Sequence, residues 1–293
     1  MVEYIVTVIT GSLTHTVAHQ CVQLLSRCFE FSSRRQTHDH HASCSAISFD
    51  VTRDHELSDD DRRGLNDAVE TLGADVFIRP IEALEHPPRL FVFDMDSTII
   101  QAEVIDRLAA LAGAGPQVSA ITESAMRGEM DFRASLQKRV ALLEGLREEV
   151  FAELEQGIEL GIGIEALMSG LREHSCKTAV ISGGFGIIGR KLQQRLGFDY
   201  VFTNELEIVD GSLTGLLAAE IIDGQRKAEL LHEVAESEGI PLSQVVAVGD
   251  GANDLLMLGQ AGIGVAYHAK PVVRAAAKHR LTHAGLDALL YLL

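Results

Sequence analysis

Four short segments of the 293-residue chain concentrate the side chains able to do chemistry: Asp94-Met95-Asp96-Ser97-Thr98, Ser182-Gly183-Gly184, the isolated Lys227, and Gly249-Asp250-Gly251-Ala252-Asn253-Asp254. They offer carboxylates, a hydroxyl and a single ammonium. Taken singly each is weak, because an acidic pair after a strand arises by chance and a lone lysine is ordinarily a surface residue. Their order and spacing together are specific. The segments fall at predicted strand ends, and in a parallel sheet such ends gather at one edge, where ligands bind.

The elements that must position them follow from hydrophobic periodicity. Leu90–Phe93 is a short continuous apolar run, as expected of a strand buried on both faces of a parallel sheet. Four helical stretches follow, near 101–113, 117–128, 131–145 and 147–156. Then come a strand at Thr178–Ser182, a helix to Leu196, a strand at Tyr200–Thr203, a hairpin around Asp210-Gly211, a helix at 225–238, and strands at Val245–Gly249 and Ile263–Ala266. This alternation predicts an α/β fold with a doubly wound parallel sheet over 90–293. The four helices form an inserted cap at about 101–160, over the carboxyl ends of the strands.

The first 82 residues read as a separate unit, joined through a linker at 83–89 that contains Glu85-His86-Pro87-Pro88. Tyr4–Thr10 is a β-branched strand. Thr14–Cys28 has helical spacing at Val17, Cys21, Leu24, Leu25 and Cys28, which makes Cys21 and Cys28 buried thiols on one face. Extended segments near 29–37 and 44–52, a helix from the N-cap Ser58 to Leu72 and a strand at Asp75–Arg79 complete a βαββαβ, ferredoxin-like order. The run His38-Asp39-His40-His41 offers four ligand types, but adjacent residues rarely converge on one ion, and a solvated loop is expected.

The net charge of −17 argues against a nucleic-acid partner, because backbone phosphates need a surplus of Lys and Arg. The same field repels any small anion, so an anionic substrate requires a local concentration of positive charge, for which a metal ion is the economical answer. The four cysteines show no metal or disulfide spacing. No run of 18 apolar residues exists and residues 1–20 lack a signal-peptide pattern, so a cytoplasmic protein that does not span a membrane is expected.

Over residues 90 to 285 the sequence resembles the haloacid-dehalogenase superfamily, and within it the phosphoserine phosphatases. The resemblance is carried by the Asp94 and Gly249 segments, Arg127-Gly128-Glu129-Met130-Asp131-Phe132, Ser182-Gly183-Gly184-Phe185, Asn204-Glu205-Leu206-Glu207 and Tyr267-His268-Ala269-Lys270-Pro271. It implies Asp94 as the nucleophile that becomes an aspartyl-phosphate, and Asp96 as general acid and then base. It implies Mg2+ held by the Asp94 side chain, the Asp96 carbonyl and Asp250. Carboxylates this close to a phosphate otherwise repel by about 4 kcal/mol per pair at about 4 Å and an effective dielectric near 20.

Ser182 and the Gly183 amide would hold phosphoryl oxygens, with Lys227 as the fixed cation and Asn253 and Asp254 orienting the shell. In the cap, Glu103 matches the residue that takes the substrate ammonium, and Arg139 the one that takes its carboxylate. Phe132 would shield the site, with Met126 nearby. The implied reaction is hydrolysis of O-phosphoserine at the end of L-serine biosynthesis. Phosphotransfer to another acceptor such as homoserine and an amino-acid-sensing role are the alternatives.

The N-terminal unit resembles the ACT regulatory domains in topology, although Gly11-Ser12-Leu13-Thr14-His15 lacks the acidic residue usual in their ligand loop. Such domains pair between subunits, so a homodimer through the N-terminal unit is expected. Where the proposed cap returns to the core, the chain reads Leu160-Gly161-Ile162-Gly163-Ile164 in place of a proline-glycine turn, and a looser hinge is expected there.

Overall fold

The computed structural model describes residues 1–11, 15–41 and 43–293, and the side chains of all of these except 15 and 34–41. Residues 12–14 of the N-terminal ligand loop, and the side chains of His38, Asp39, His40 and His41, lie outside that description.

Six elements build the N-terminal layer in the expected order: β1 (Val2–Thr10), α1 (His15–Leu25), β2 (Glu30–His41), β3 (Cys44–Arg53), α2 (Asp59–Glu70) and β4 (Asp75–Pro80). The strands form an antiparallel sheet ordered β2-β3-β1-β4, in which Val6 faces both Phe49 and Ile78. Ser58 caps α2: its hydroxyl accepts from the Asp61 amide while the Asp61 carboxylate accepts from the Ser58 amide. α1 ends at Leu25, one turn earlier than its apolar spacing suggests, so Cys21 is buried and Cys28 is exposed. The backbone of 38–41 continues β2 rather than forming a loop.

The second layer begins with β5 (Leu90–Phe93). Four helices follow: α3 (Val104–Leu111), α4 (Gly115–Met126), α5 (Phe132–Ala141) and α6 (Val150–Gln156). α7 (Ile164–Glu173) comes next, a helix the strand-and-helix alternation did not anticipate. Then come β6 (Lys177–Phe185), α8 (Gly186–Leu196), β7 (Tyr200–Asn204) and the hairpin β8 (Leu206–Val209) and β9 (Ser212–Leu217). Its turn residues Asp210 and Gly211 both have positive φ, as a two-residue hairpin turn requires. α9 (Gly224–Ser237), β10 (Val245–Gly249), α10 (Leu255–Gln260), β11 (Ile263–Tyr267), α11 (Pro271–Ala276) and β12 (His279–Leu281) complete the layer.

The sheet is parallel and ordered β12-β11-β10-β5-β6-β7, placing β5 at the centre between β10 and β6. All four residues of β5 are buried, as the continuous apolar run predicted. Among the described residues no helix is long and apolar enough to cross a membrane.

The two layers share a core. Ile9, Cys44, Ala46 and Phe77 of the first pack into the cluster that contains Phe91, Phe93, Leu286 and Leu289 of the second. Buried polar contacts reinforce this. The Asp75 carboxylate accepts from the amides of Thr282, His283 and Ala284, and Arg79 donates to the Leu292 carbonyl at 2.7 Å.

Candidate active site

Asp94 follows directly on β5 and Asp250 directly on β10, so the two central strands deliver two buried carboxylates to the same sheet edge. Ser182 lies within β6, which runs three residues further than its apolar stretch indicated. Lys227 is not at a strand end: it lies one turn into α9, whose start is capped by the Asp223 carboxylate on the Arg226 amide. The helix carries Lys227 to full burial, with its ammonium 2.7 Å from Asp94 Oδ1 and 2.6 Å from Asp254 Oδ1.

Burial works against the Lys227 ammonium, but the two carboxylates more than offset it, and its pKa lies above the ordinary value. Asp254 is fully engaged: its other oxygen accepts from the amides of Asp250 and Gly251. Glycine is required beside it, because a Cβ at Gly249 would come within 2.5 Å of the Asp254 carboxylate.

Carboxylate oxygens of Asp94, Asp250 and Asp254 lie within 4.8 Å of one another. With Asp254 committed to Lys227 and two amides, Asp94 and Asp250 are the pair with ligand capacity to spare, which fits a hard metal ion bound by oxygen. Burial, with Asp94 and Glu103 nearby, pushes Asp250 up to about 6. Lys270 answers part of that negative charge, its ammonium lying 3.2 Å from Asp250 and 3.9 Å from Glu103. Its amide also donates to the Asp250 carbonyl, tying the segment after β11 to the one after β10.

Asp96 is pushed well above the usual carboxylate range by burial, Glu103 and Asp94. One of its oxygens accepts weakly from the Val104 amide at the start of α3, and the other is buried without a partner. A carboxyl of this kind holds a proton more readily than a free one and has an oxygen without a partner from which to give it. Glu103 reaches the same place, where its carboxylate accepts from Ser97 Oγ at 3.0 Å; Ser97 has φ +57°, which turns its side chain toward the cap. Arg139, on α5, is half-buried. Burial lowers its pKa while Glu103, Asp106 and Asp96 raise it, so its guanidinium shares the cleft of these acids.

The cap closes over the strand ends through α5. A Cβ at Gly183 would lie 2.9 Å from the Phe132 ring, so that ring covers the Ser182-Gly183 end of β6. Next to it, Arg133 pairs with Asp223, the residue that caps the Lys227 helix. Met126 is 73% exposed at the end of α4 and does not join the cluster. Asn253 is half-buried, and a Cβ at Gly251 would lie 2.5 Å from its side-chain oxygen, which sets it beside the Asp250 loop.

The sequence reading assigned no task to Lys270, Ser97 or Asn204. Asn204 braces the Ser182 segment, donating to the Gly183 carbonyl at 2.7 Å and accepting from the Ile222 amide at 2.8 Å. Its position closing a strand was the available signal.

The haloacid dehalogenase-like hydrolase family matches residues 88–262. A phosphoserine phosphatase of Archaeoglobus fulgidus is 46% identical over 228 residues, 78% of this chain and 66% of that protein. Across the first four curated relatives the match covers between 50% and 66% of the relative's length. The crystal structure of a haloacid dehalogenase family hydrolase of Salmonella enterica serovar Typhi superposes with a TM-score of 0.89 at 32% identity, covering 99% of this chain and 98% of that one. A probable phosphoserine phosphatase of Vibrio cholerae, unliganded, gives 0.80 at 34% identity over 100% and 86% of the two chains. With that family model matching more than half of its residues, the chain belongs to the haloacid dehalogenase-like hydrolases.

Proposed function

We propose that this protein is a Mg2+-dependent phosphatase that hydrolyses O-phospho-L-serine to L-serine and phosphate, the last step of serine synthesis. What supports the substrate assignment is that Glu103, at the start of α3 and bonded to Ser97, acts electrostatically on Arg139 of α5 together with Asp96. A carboxylate and a guanidinium held apart in one pocket match the ammonium and carboxylate of an amino acid whose third substituent is the phosphate ester. The A. fulgidus relative carries that activity in its name and supports the reading.

In this mechanism Asp94 attacks phosphorus and takes the phosphoryl group as an aspartyl-phosphate, while Asp96 protonates the departing serine oxygen. Asp96, now a carboxylate, accepts a proton from the water that attacks the phosphorus of the intermediate, and phosphate leaves. Lys227, Ser182 Oγ and the Gly183 amide hold the phosphoryl oxygens through both steps. Mg2+, bound by the Asp94 and Asp250 side chains and the Asp96 carbonyl, would supply charge neutralisation between phosphate and carboxylates. Asn253 and Asp254 keep those groups oriented, and Phe132 keeps bulk water out until the serine has left.

The test pairs two variants. Asp94→Asn is expected to stop phosphate release with the fold intact. Arg139→Ala is expected to raise KM for phosphoserine about 100-fold, as loss of a charge-assisted contact of about 3 kcal/mol implies, while leaving KM for a phosphate ester without a carboxylate nearly unchanged. Equal effects of Arg139→Ala on the two esters would remove the amino acid from the assignment.

A further inference from the structure

On the opposite edge of the parallel sheet, where the amino ends of β11 and β12 meet the N-terminal layer, lies a cavity of about 180 Å3. Its lining holds three cations, Arg62 from α2, Arg79 from β4 and Lys278 just before β12, together with His86 from the connecting segment and His279 at the start of β12. None of its lining residues is acidic, in a chain whose net charge is −17.

Neither guanidinium has a salt bridge among the described residues. Arg62 donates to the Ile78 carbonyl, and Arg79, only 4% exposed, donates to the carbonyls of Leu292 and Tyr291. Lys278 has one ion pair, with exposed Asp59. His279 is 7% exposed, packs edge-on against Phe77, and its Nδ1 is buried with no hydrogen-bond partner. Burial, then Arg62, Arg79 and Lys278, drives the imidazole down to about 3, so the ring is neutral and offers one N–H and one ring nitrogen as a hydrogen-bond partner. A buried guanidinium without a counter-charge, as at Arg79, and an orphaned ring nitrogen, as at His279, are costly, and persist where something supplies the missing charge and hydrogen bonds.

We propose that this cavity is a second anion site that binds a free tetrahedral oxyanion of the size of inorganic phosphate between the two layers. The volume is that of about six waters, enough for such an ion and part of its hydration but not for a large ester. Arg62 and Arg79 would hold it from the N-terminal side and Lys278 and His279 from the parallel sheet, so the bound anion ties the layers together. None of these residues belongs to the catalytic cleft.

The experiment is a titration of the full-length protein with inorganic phosphate at neutral pH, followed by NMR of the histidine side chains, with the His279 signals assigned by their loss in His279→Gln. Saturable movement of the His279 signals is expected. In Lys278→Gln, an exposed site that leaves folding untouched, and in Arg62→Gln, the midpoint is expected to weaken about ten-fold, as loss of one charge-assisted contact implies. His279 signals that stay still through the titration, or that move with the same midpoint in both variants, would overturn the proposal. Because the reporter is at the far edge of the sheet, the outcome is independent of which ester the catalytic cleft accepts.

Discussion

At the residue scale the cleft is a problem in charge balance. Asp94, Asp96, Glu103, Asp250 and Asp254 bring five carboxyl groups to one pocket, and Lys227, Lys270 and Arg139 bring three cations. Fully ionised, the set carries a net charge of −2, which a divalent metal ion cancels. Without metal the imbalance appears as carboxyls that resist ionisation. Asp250, at 3.8 in the unfolded chain and about 6 in the fold, binds more protons when folded across that range. Stability of the metal-free protein is therefore expected to fall as pH rises from about 4 to about 6, by about 3 kcal/mol from this group alone. Saturating Mg2+ is expected to flatten the slope. Urea unfolding at a series of pH values, with and without the ion, measures both, and a slope unchanged by Mg2+ would argue against Asp250 as a ligand.

At the scale of elements, the return from cap to core differs from the loose hinge its glycines suggested. The Gly161 amide donates to the Ile99 carbonyl at 2.7 Å, and Leu160 bridges Ile100. Gly163 has φ +79°, and a Cβ there would lie 2.1 Å from the buried Asp287 carboxylate. These glycines permit close approach of backbone to backbone and carboxylate, which packs the crossing tightly. Gly163→Ala is expected to cost about 3 kcal/mol or more from the combined positive φ and clash, read as a lowered denaturation midpoint. A cost under about 1 kcal/mol would mean that the crossing yields easily.

At the scale of the whole molecule, the N-terminal layer is bound to the parallel sheet through buried polar groups. Asp75→Ala would leave the amides of Thr282, His283 and Ala284 without their acceptor. It is expected to destabilise the protein by about 3 kcal/mol in a single cooperative transition. Two separated melting transitions in the parent protein would instead show layers that fold independently. At the far side of the N-terminal sheet β2 is the outer strand, while β4 at the other edge faces β12. We propose that the protein forms a homodimer through this N-terminal layer, for which an unpaired edge strand is a ready surface. Sedimentation velocity is expected to give twice the chain mass, and a monomer at micromolar concentration would exclude it.

The sequence by itself determined most of the elements and pointed to the chemistry. The β5 run, the Ser58 cap and the Asp210-Gly211 turn are local patterns whose periodicity or backbone demand is written in a few adjacent residues. The strand-end motifs then placed Asp94, Ser182 and Asp250 at one edge once a parallel sheet was inferred. Other features depended on distant parts of the chain, which no local pattern contains. The burial of Lys227 between Asp94 and Asp254 came from the docking of α9, and the partners of Lys270 and Asn204 came from loops brought together by strand order. The packed glycines owe their role to distant parts of the chain, Gly161 to the Thr98 and Ile99 backbone and Gly163 to Asp287, more than a hundred residues away. The basic cavity around His279 exists only because two layers, each unremarkable in its own sequence, meet there and bring Arg62, Arg79 and Lys278 to its lining.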